Sequence, residues 1–226
     1  MSLRGLATVL VLLALAGCGG AGEDEGTATL WVTRDRGATV LVDARVPAGQ
    51  TLMRALASEA KIETRFGGRY LQSLQGLEGS LDRQRDWFWF VNGYEGDRSA
   101  AAYRLRDGDI AWWDYRAWER EGEARVVVGA FPEPFRHGYA GKVRPAVVRY
   151  APAVGRSLAR RLAREIGTDS IEPLGTAVPA GANVLEVRSG ADALTAELVG
   201  ESAGDPVRFV LAGDPTDYVR RFEVAP

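Results

Sequence analysis

The sequence predicts an α+β chain in two parts. The first is a small mixed sheet gripping one helix, and the second is another small α/β or α+β unit. Three observations carry this. Period-two apolar segments before residue 118 surround a single short amphipathic stretch. A charged break, "EREGE", follows Trp118. Beyond it, strand-like segments resume around the best helical stripe in the chain.

Taken in order, "ATLWVTRD" alternates as a strand, Arg36-Gly37 is a turn, and "TVLVDARVPAG" is a second strand closing on Pro47 and Gly49. "QTLMRALASEA" places Leu52, Leu56 and Ala60 at helical spacing, with Thr51 as N-cap. "GGRYLQSLQGLEG" returns to extended texture and leads into "WFWFVNGYEG", where Asn92-Gly93 has the chemistry of a hairpin turn. Ser99 to Tyr103 reads as a helical turn, and Asp107-Gly108 turns the chain into the last strand, "IAWWDYRAW". Strand, strand, helix, strand, strand, short helix, strand is the β-grasp arrangement.

After the break, "ARVVVGAF" and "AVVRYAP" read as strands. "VGRSLARRLAREIG" carries Leu158, Leu162 and Ile166 as an apolar stripe ending at Gly167. "NVLEVRS", "ALTAELVG" and "VRFVLAG" follow as strands, and "YVRRFEV" adds a last one. The boundaries are therefore 27–118 for the first domain and 125–226 for the second, which is expected to have its own core.

The N-terminus is the strongest local signal. Arg4 precedes an apolar run from Leu6 to Ala16, too short to span a bilayer as a mature helix, and "LAGC" follows. Small residues before Cys18 suit a signal peptidase, and a cysteine after the cut can carry thioether-linked lipid. Residues 1–18 thus resemble a bacterial lipoprotein signal, with Cys18 the expected lipid attachment point. Cys18 is the sole cysteine, so no intramolecular disulfide forms. Residues 19–26, small and acidic, read as a flexible tether. The expectation is an exported protein, anchored through its N-terminal lipid to the outer face of the cytoplasmic membrane. A net charge of −2 argues against a nucleic-acid partner.

The segments "GQTLMRAL", "GGRYLQSLQGLEG", "DWFWFVNG" and "YRLRDGDIAWW", in that order, resemble the transcobalamin-like C-terminal domain (DUF4430-type) over roughly Thr27 to Trp118. That family's vitamin B12 carriers pack this domain over one face of a corrin ring while a larger helical domain holds the other. No such helical domain is present here. The resemblance implies that Tyr70, Gln72, Trp87, Phe88, Phe90 and Asn92 line a ligand face, with cobalamin or another corrinoid as a non-covalent ligand.

The residues themselves leave alternatives open. In "WFWFV", Trp87, Trp89 and Val91 face one way and Phe88 and Phe90 the other, so both faces must be covered, by core or by ligand. Trp112 and Trp113 likewise oppose, so at least one joins the core. His137, the sole histidine, lies four residues after Glu133 and has no second histidine or cysteine nearby, so it reads as a loop residue rather than a metal ligand. Asp107 and Asp109 suit turn formation better than calcium. Arg156, Arg160, Arg161 and Arg164 read as a solvated helix face. No Gly-x-Ser-x-Gly elbow, phosphate loop or dinucleotide signature occurs, and the expectation is a protein that is not an enzyme. The expected function is capture of a corrinoid or other flat hydrophobic small molecule for uptake, with a membrane transporter as partner. The alternative is an envelope module that docks a protein or glycan and takes no cofactor.

Overall fold

A computed structural model describes residues 26–118, 125–191 and 193–213. The expected signal peptide with Cys18, the tether up to residue 25, the charged break and "YVRRFEV" lie outside the described residues.

Strands β1 (Thr27–Arg34) and β2 (Thr39–Pro47) form an antiparallel hairpin. Its turn runs through Asp35, Arg36 and Gly37, all at positive φ. Helix α1 (Leu52–Glu59) begins where Thr51 accepts a hydrogen bond from the Arg54 N–H at 3.3 Å, satisfying one of the helix's open donors. Leu52 and Leu56, a turn apart, are fully buried. A small antiparallel sheet follows, made of β3 (Ile62–Arg65), β4 (Tyr70–Leu74) and β5 (Leu77–Glu78).

Next come β6 (Arg85–Val91), β7 (Tyr94–Glu95) and β8 (Ile110–Ala117). The central sheet has the order β2-β1-β8-β6-β7, with β1 and β8 parallel and the other pairs antiparallel. Asn92-Gly93 forms the expected turn between β6 and β7, both residues at positive φ. Residues 99–103 form no helix. They keep the single expected turn, the Ala102 N–H bonding the Ser99 carbonyl at 2.8 Å, while Ser99 Oγ accepts from the Ala101 N–H and donates to the Arg69 carbonyl at 2.6 Å.

The segment expected as the strand "ARVVVGAF" is not one. Val126 makes a single bridge to Tyr94, and Val128–Ala130 is a 3₁₀ turn. Its apolar side chains divide between the two cores, Val126 and Val128 joining the main cluster and Val127 and Ala130 covering the far face of the central sheet. Strand β9 (Ala146–Tyr150), helix α2 (Arg156–Ile166), and strands β10 (Ile171–Pro173), β11 (Asn183–Arg188), β12 (Ala193–Leu198) and β13 (Val207–Ala212) complete the chain. Their sheet has the order β10-β9-β11-β13-β12, parallel except for β12. Helix α2 ends at Gly167 in the left-handed conformation, with Leu162 and Ile166 buried and the four arginines exposed. The architecture is therefore mixed α+β, with a β-grasp-like region followed by α/β elements.

Buried apolar side chains of both halves join in one continuous cluster, in which Phe135 stacks edge-on against Phe209 at 5.2 Å. Polar contacts cross the same junction. Asn92 donates to Asp109 Oδ1 and to the Gly138 carbonyl, both at 2.7 Å, and its own Oδ1 accepts from the Ile110 N–H. Tyr94 donates to the Asp205 carbonyl at 2.8 Å, and Tyr139 donates to Asp97 at 2.6 Å.

Candidate functional site

Strand register divides the aromatic run between two environments. Trp87, Trp89 and Val91 pair with Tyr115, Trp113 and Ala111 on the face that α1 covers. Phe88 and Phe90 pair with Asp114 and Trp112 on the opposite face. There Trp31, Phe90 and Trp112 are sealed beneath Val127 and Ala130, with Phe88 at the edge. The Arg116 guanidinium lies 4.8 Å above both phenylalanine rings. The Trp112 indole N–H donates to Thr33 Oγ1 at 2.8 Å, and Thr33 donates to Asp114 at 2.5 Å. This second face is closed by the chain itself.

The open ground is on the helix side. Three pieces of chain surround the tryptophans there: α1 through Met53, the β3–β4 hairpin through Arg69, Tyr70 and Leu71, and the turn at Arg98–Ala100. That turn joins the other two, as the Met53 N–H donates to the Ala100 carbonyl at 3.1 Å and Ser99 donates to the Arg69 carbonyl at 2.6 Å. Between them lies a cleft of about 180 Å³, floored by Trp87, Trp89 and Trp113. Two of the floor rings are fixed from the side. The Trp87 N–H donates to the Leu77 carbonyl at 3.1 Å, and Trp89 packs edge-on to Tyr103 at 5.7 Å. Gly96 is needed for that placement, because a Cβ there would stand 2.0 Å from the Trp89 ring.

Trp113 differs. It is 2% exposed, yet its indole N–H has no hydrogen-bond partner among the described residues. A buried unpaired donor forfeits its hydration without return.

The cleft's charge comes from two arginines. Arg98 is committed to Asp97 through a two-pronged bond at 2.7 and 3.0 Å, which holds the Asp97 carboxyl below its usual range. Arg69 is exposed and its guanidinium has no partner among the described residues. Tyr70 donates a short hydrogen bond to Asp86; burial, and then that bond, push its hydroxyl up to about 12. Tyr70 therefore serves as an apolar wall and not as a base near neutrality.

Of the residues expected at a ligand face, the structure brings Tyr70 and Trp87 into this cleft. Phe88 and Phe90 lie behind the sheet. Gln72 is buried and donates to Glu78 at 2.6 Å, and Asn92 is consumed in the junction network. Trp89, Trp113 and Arg69 were not singled out by sequence. The only available signal was the Trp112-Trp113 pair, whose members necessarily face opposite sides.

His137 Nδ1 lies 2.5 Å from the buried Glu133, whose other oxygen accepts from the His137 backbone N–H. Its ring edge fills the space beside Gly108, so it fastens a loop to the Asp107-Gly108 turn. Asp107 caps that turn by accepting from the Thr27 N–H at 2.9 Å, and Asp109 by accepting from Arg106. Among the described residues no group of three or more His, Cys, Asp or Glu is placed to hold a metal ion, and no helix is long and apolar enough to cross a membrane.

Haptocorrin, solved in complex with Cbi, shares 16% identity over 46% of this chain and 28% of its own, with a TM-score of 0.36. A Ruminococcus gnavus protein named for metal binding shares 15% identity over 42% of this chain and 100% of its own, also at 0.36. Likenesses of that depth carry no argument about function. No curated protein matches the chain. Residues 49–117, from the approach to α1 through the end of β8, match a family described as a domain of unknown function (DUF4430). The three tryptophans and every other residue lining the cleft fall within that span, and the chain carries a DUF4430 domain there.

Proposed function

We propose that this protein is a non-catalytic capture module that holds a flat, partly apolar small molecule in the tryptophan cleft, a corrinoid being the leading ligand. In this reading it is exported, anchored by lipid at Cys18, and delivers its ligand to a membrane transporter. The observation that carries the proposal is the cleft itself: a floor of three tryptophans beside Arg69, whose guanidinium has no partner among the described residues.

The chemistry of the lining selects the ligand. Indole faces favour flat apolar surface, and the Arg69 guanidinium calls for an acceptor. A ligand that brings a carbonyl or an anionic oxygen to Arg69 gains a charge-assisted hydrogen bond there. Volume sets a further limit. About 180 Å³ is roughly six waters at ~30 Å³ each, enough for one ring or one amide-bearing arm but not for a whole macrocycle. A corrin, wide and fringed with amides, would insert an arm and lay its plane across the mouth. The lining contains no histidine, carboxylate or cysteine, and Ser99 is tied to backbone at both ends of its hydroxyl. That composition favours binding over catalysis.

Isothermal titration of the whole chain in mild detergent with cobinamide and cobalamin tests this. The expected result is saturable binding near micromolar or tighter, accompanied by quenching of tryptophan emission. Flat heats and unchanged emission with both compounds would remove the corrinoid reading.

A further inference from the structure

The β3–β4 hairpin ends in a turn with a side chain that the fold does not use. Phe66 is 78% exposed, and its only ring neighbour among the described residues is Tyr70, edge-on at 6.2 Å. Its backbone sits at φ +53, and Gly67 and Gly68 follow at +67 and +87. A bulky side chain in the left-handed region is strained, and Gly or Asn is the residue such a turn selects. Side chains built at either glycine would meet nothing within 4 Å, so the tip stands in open space. Neither packing nor turn geometry accounts for a phenylalanine here.

Single exposed apolar residues are ordinary, and Leu81 is as exposed at 77%. Phe66 differs from Leu81 in two respects: it sits at positive φ, and it touches a residue of the tryptophan cleft. Tyr70 lines that cleft, and Arg69, between Phe66 and Tyr70 in the hairpin and free of partners among the described residues, lines it too. Trp113, Trp87 and Tyr70 line the cleft, and the edge-on pair of Tyr70 with Phe66 carries aromatic surface outward from its wall, with the Arg69 guanidinium beside it.

We propose that the binding site continues out of the cleft across Tyr70 to Phe66, and that its ligand is an extended flat apolar molecule carrying an anionic or carbonyl oxygen for Arg69. One arm fills the cleft and the body of the ligand lies on Tyr70 and Phe66. This rests on the cleft being the ligand site, and it adds the outer half, which the cleft volume alone leaves unassigned. The strained turn keeps Phe66 projecting toward solvent in the free protein, where the ligand body meets it on arrival.

Phe66→Asn, Phe66→Gly and Phe66→Trp test the proposal in the whole chain, with cobinamide as probe and Trp113→Phe as the variant confined to the cleft. Asn and Gly should raise Tm by about 2–4 °C, since they suit the turn, while weakening cobinamide about 5- to 10-fold. Trp should hold affinity near the parent's. If Asn and Gly bind cobinamide as the parent does while Trp113→Phe weakens it, the outer site is wrong and the cleft reading stands. A fall in Tm for Asn and Gly would show that the fold does use Phe66, which removes the basis of the proposal. If the parent protein does not bind cobinamide at all, the corrinoid reading of the cleft and the outer site built on it fall together.

Discussion

Trp89 and Trp113 lie opposite each other on one face of the central sheet, and Phe90 and Trp112 lie opposite each other on the other. Chemically the two pairs are near equals, but their surroundings differ. Phe90 and Trp112 are both 0% exposed, capped by two small apolar residues from the segment after β8, and Trp112 finds an acceptor in Thr33. Over Trp89 and Trp113 the cover comes from three pieces of chain that are bonded to one another yet leave a cleft between them, and the Trp113 N–H has no acceptor among the described residues. Aromatic content therefore does not mark a ligand face. What marks it is cover that leaves a cleft open over the rings.

If that contrast is right, damage to the closed face should cost folding alone. Phe90→Ala removes a fully buried ring and leaves a cavity that the sheet cannot collapse into, costing about 3–5 kcal/mol. Denaturant titration should show the whole loss as a lower midpoint. Any ligand affinity measured on the folded fraction should stay within twofold of the parent's. A selective loss of affinity in a stably folded Phe90→Ala protein would reverse the assignment of the two faces.

The closure itself can be loosened from the turn that holds it. Gly93 sits at φ +82, its carbonyl accepts from the Val127 N–H at 2.8 Å, and a Cβ there would stand 2.9 Å from the Val127 carbonyl. Gly93→Ala combines left-handed strain with a backbone clash and should cost about 2 kcal/mol. Faster hydrogen exchange at residues 125–130 would accompany it, whereas unchanged exchange there would mean that the segment is held by something other than this turn.

The C-terminal sheet supplies a third kind of face. Leu185 and Val187 point toward α2 and the shared core, whereas Glu186, 3% exposed, is ringed by Arg149, Arg188 and Arg208. Burial works against its ionisation, but hydrogen bonds from Arg208 and then Arg188 outweigh that and hold its carboxyl below the usual range. Because the folded value is depressed, Glu186 stabilises the fold above the unfolded carboxylate range near ~4.3 and loses that contribution as pH falls through the folded value. Asp109, 1% exposed, has the opposite sign: burial raises it, so its ionised form opposes folding as pH rises. Glu186→Gln should cost about 1–2 kcal/mol at neutral pH, solvent at Arg188 and Arg208 reducing the value of each bond. It should also flatten the acid limb of stability against pH. An unchanged acid limb would place that limb's origin at other carboxylates.

The parts of this molecule legible in sequence are those decided within a few residues. Thr51 capping α1, the Leu52 and Leu56 stripe, the Asn92-Gly93 turn and the Gly167 stop all depend on backbone chemistry that neighbours set. The two-sided aromatic alternation of β6 also correctly implies that both faces are covered. Which face stays partly open is decided 10 to 40 residues away, by where the Arg69–Leu71 arm, the Arg98–Ala100 turn and Val127 come to rest. The 3₁₀ piece at Val128–Ala130 was misread for a related reason: valines with strand propensity find a single bridge, Val126 to Tyr94, among the described residues. Tyr70 and Trp87 could be nominated from the chain, whereas Trp113 could not, because its interest lies in a partner it lacks.

Trp113→Phe isolates that missing partner and carries the smallest expected effect on stability. Phenylalanine keeps a flat apolar ring on the cleft floor and deletes the N–H that no described group accepts. Loss of ring area costs some burial, while removing an unsatisfied buried donor returns a comparable amount, so the two should cancel to within about 1 kcal/mol. The contrast with Trp112→Phe is the informative one. There the N–H is bonded to Thr33, whose hydroxyl keeps its own bond to Asp114, so deletion removes one buried hydrogen bond and should cost about 0.5–1.5 kcal/mol more than the Trp113 change. For a ligand held on the cleft floor, Trp113→Phe trims the indole surface and should weaken binding about 2- to 3-fold, and Trp112→Phe, on the closed face, should not. Equal stability losses in the two variants would mean that the Trp113 N–H already has an acceptor in solution, and the asymmetry between the two faces would then be one of shape alone.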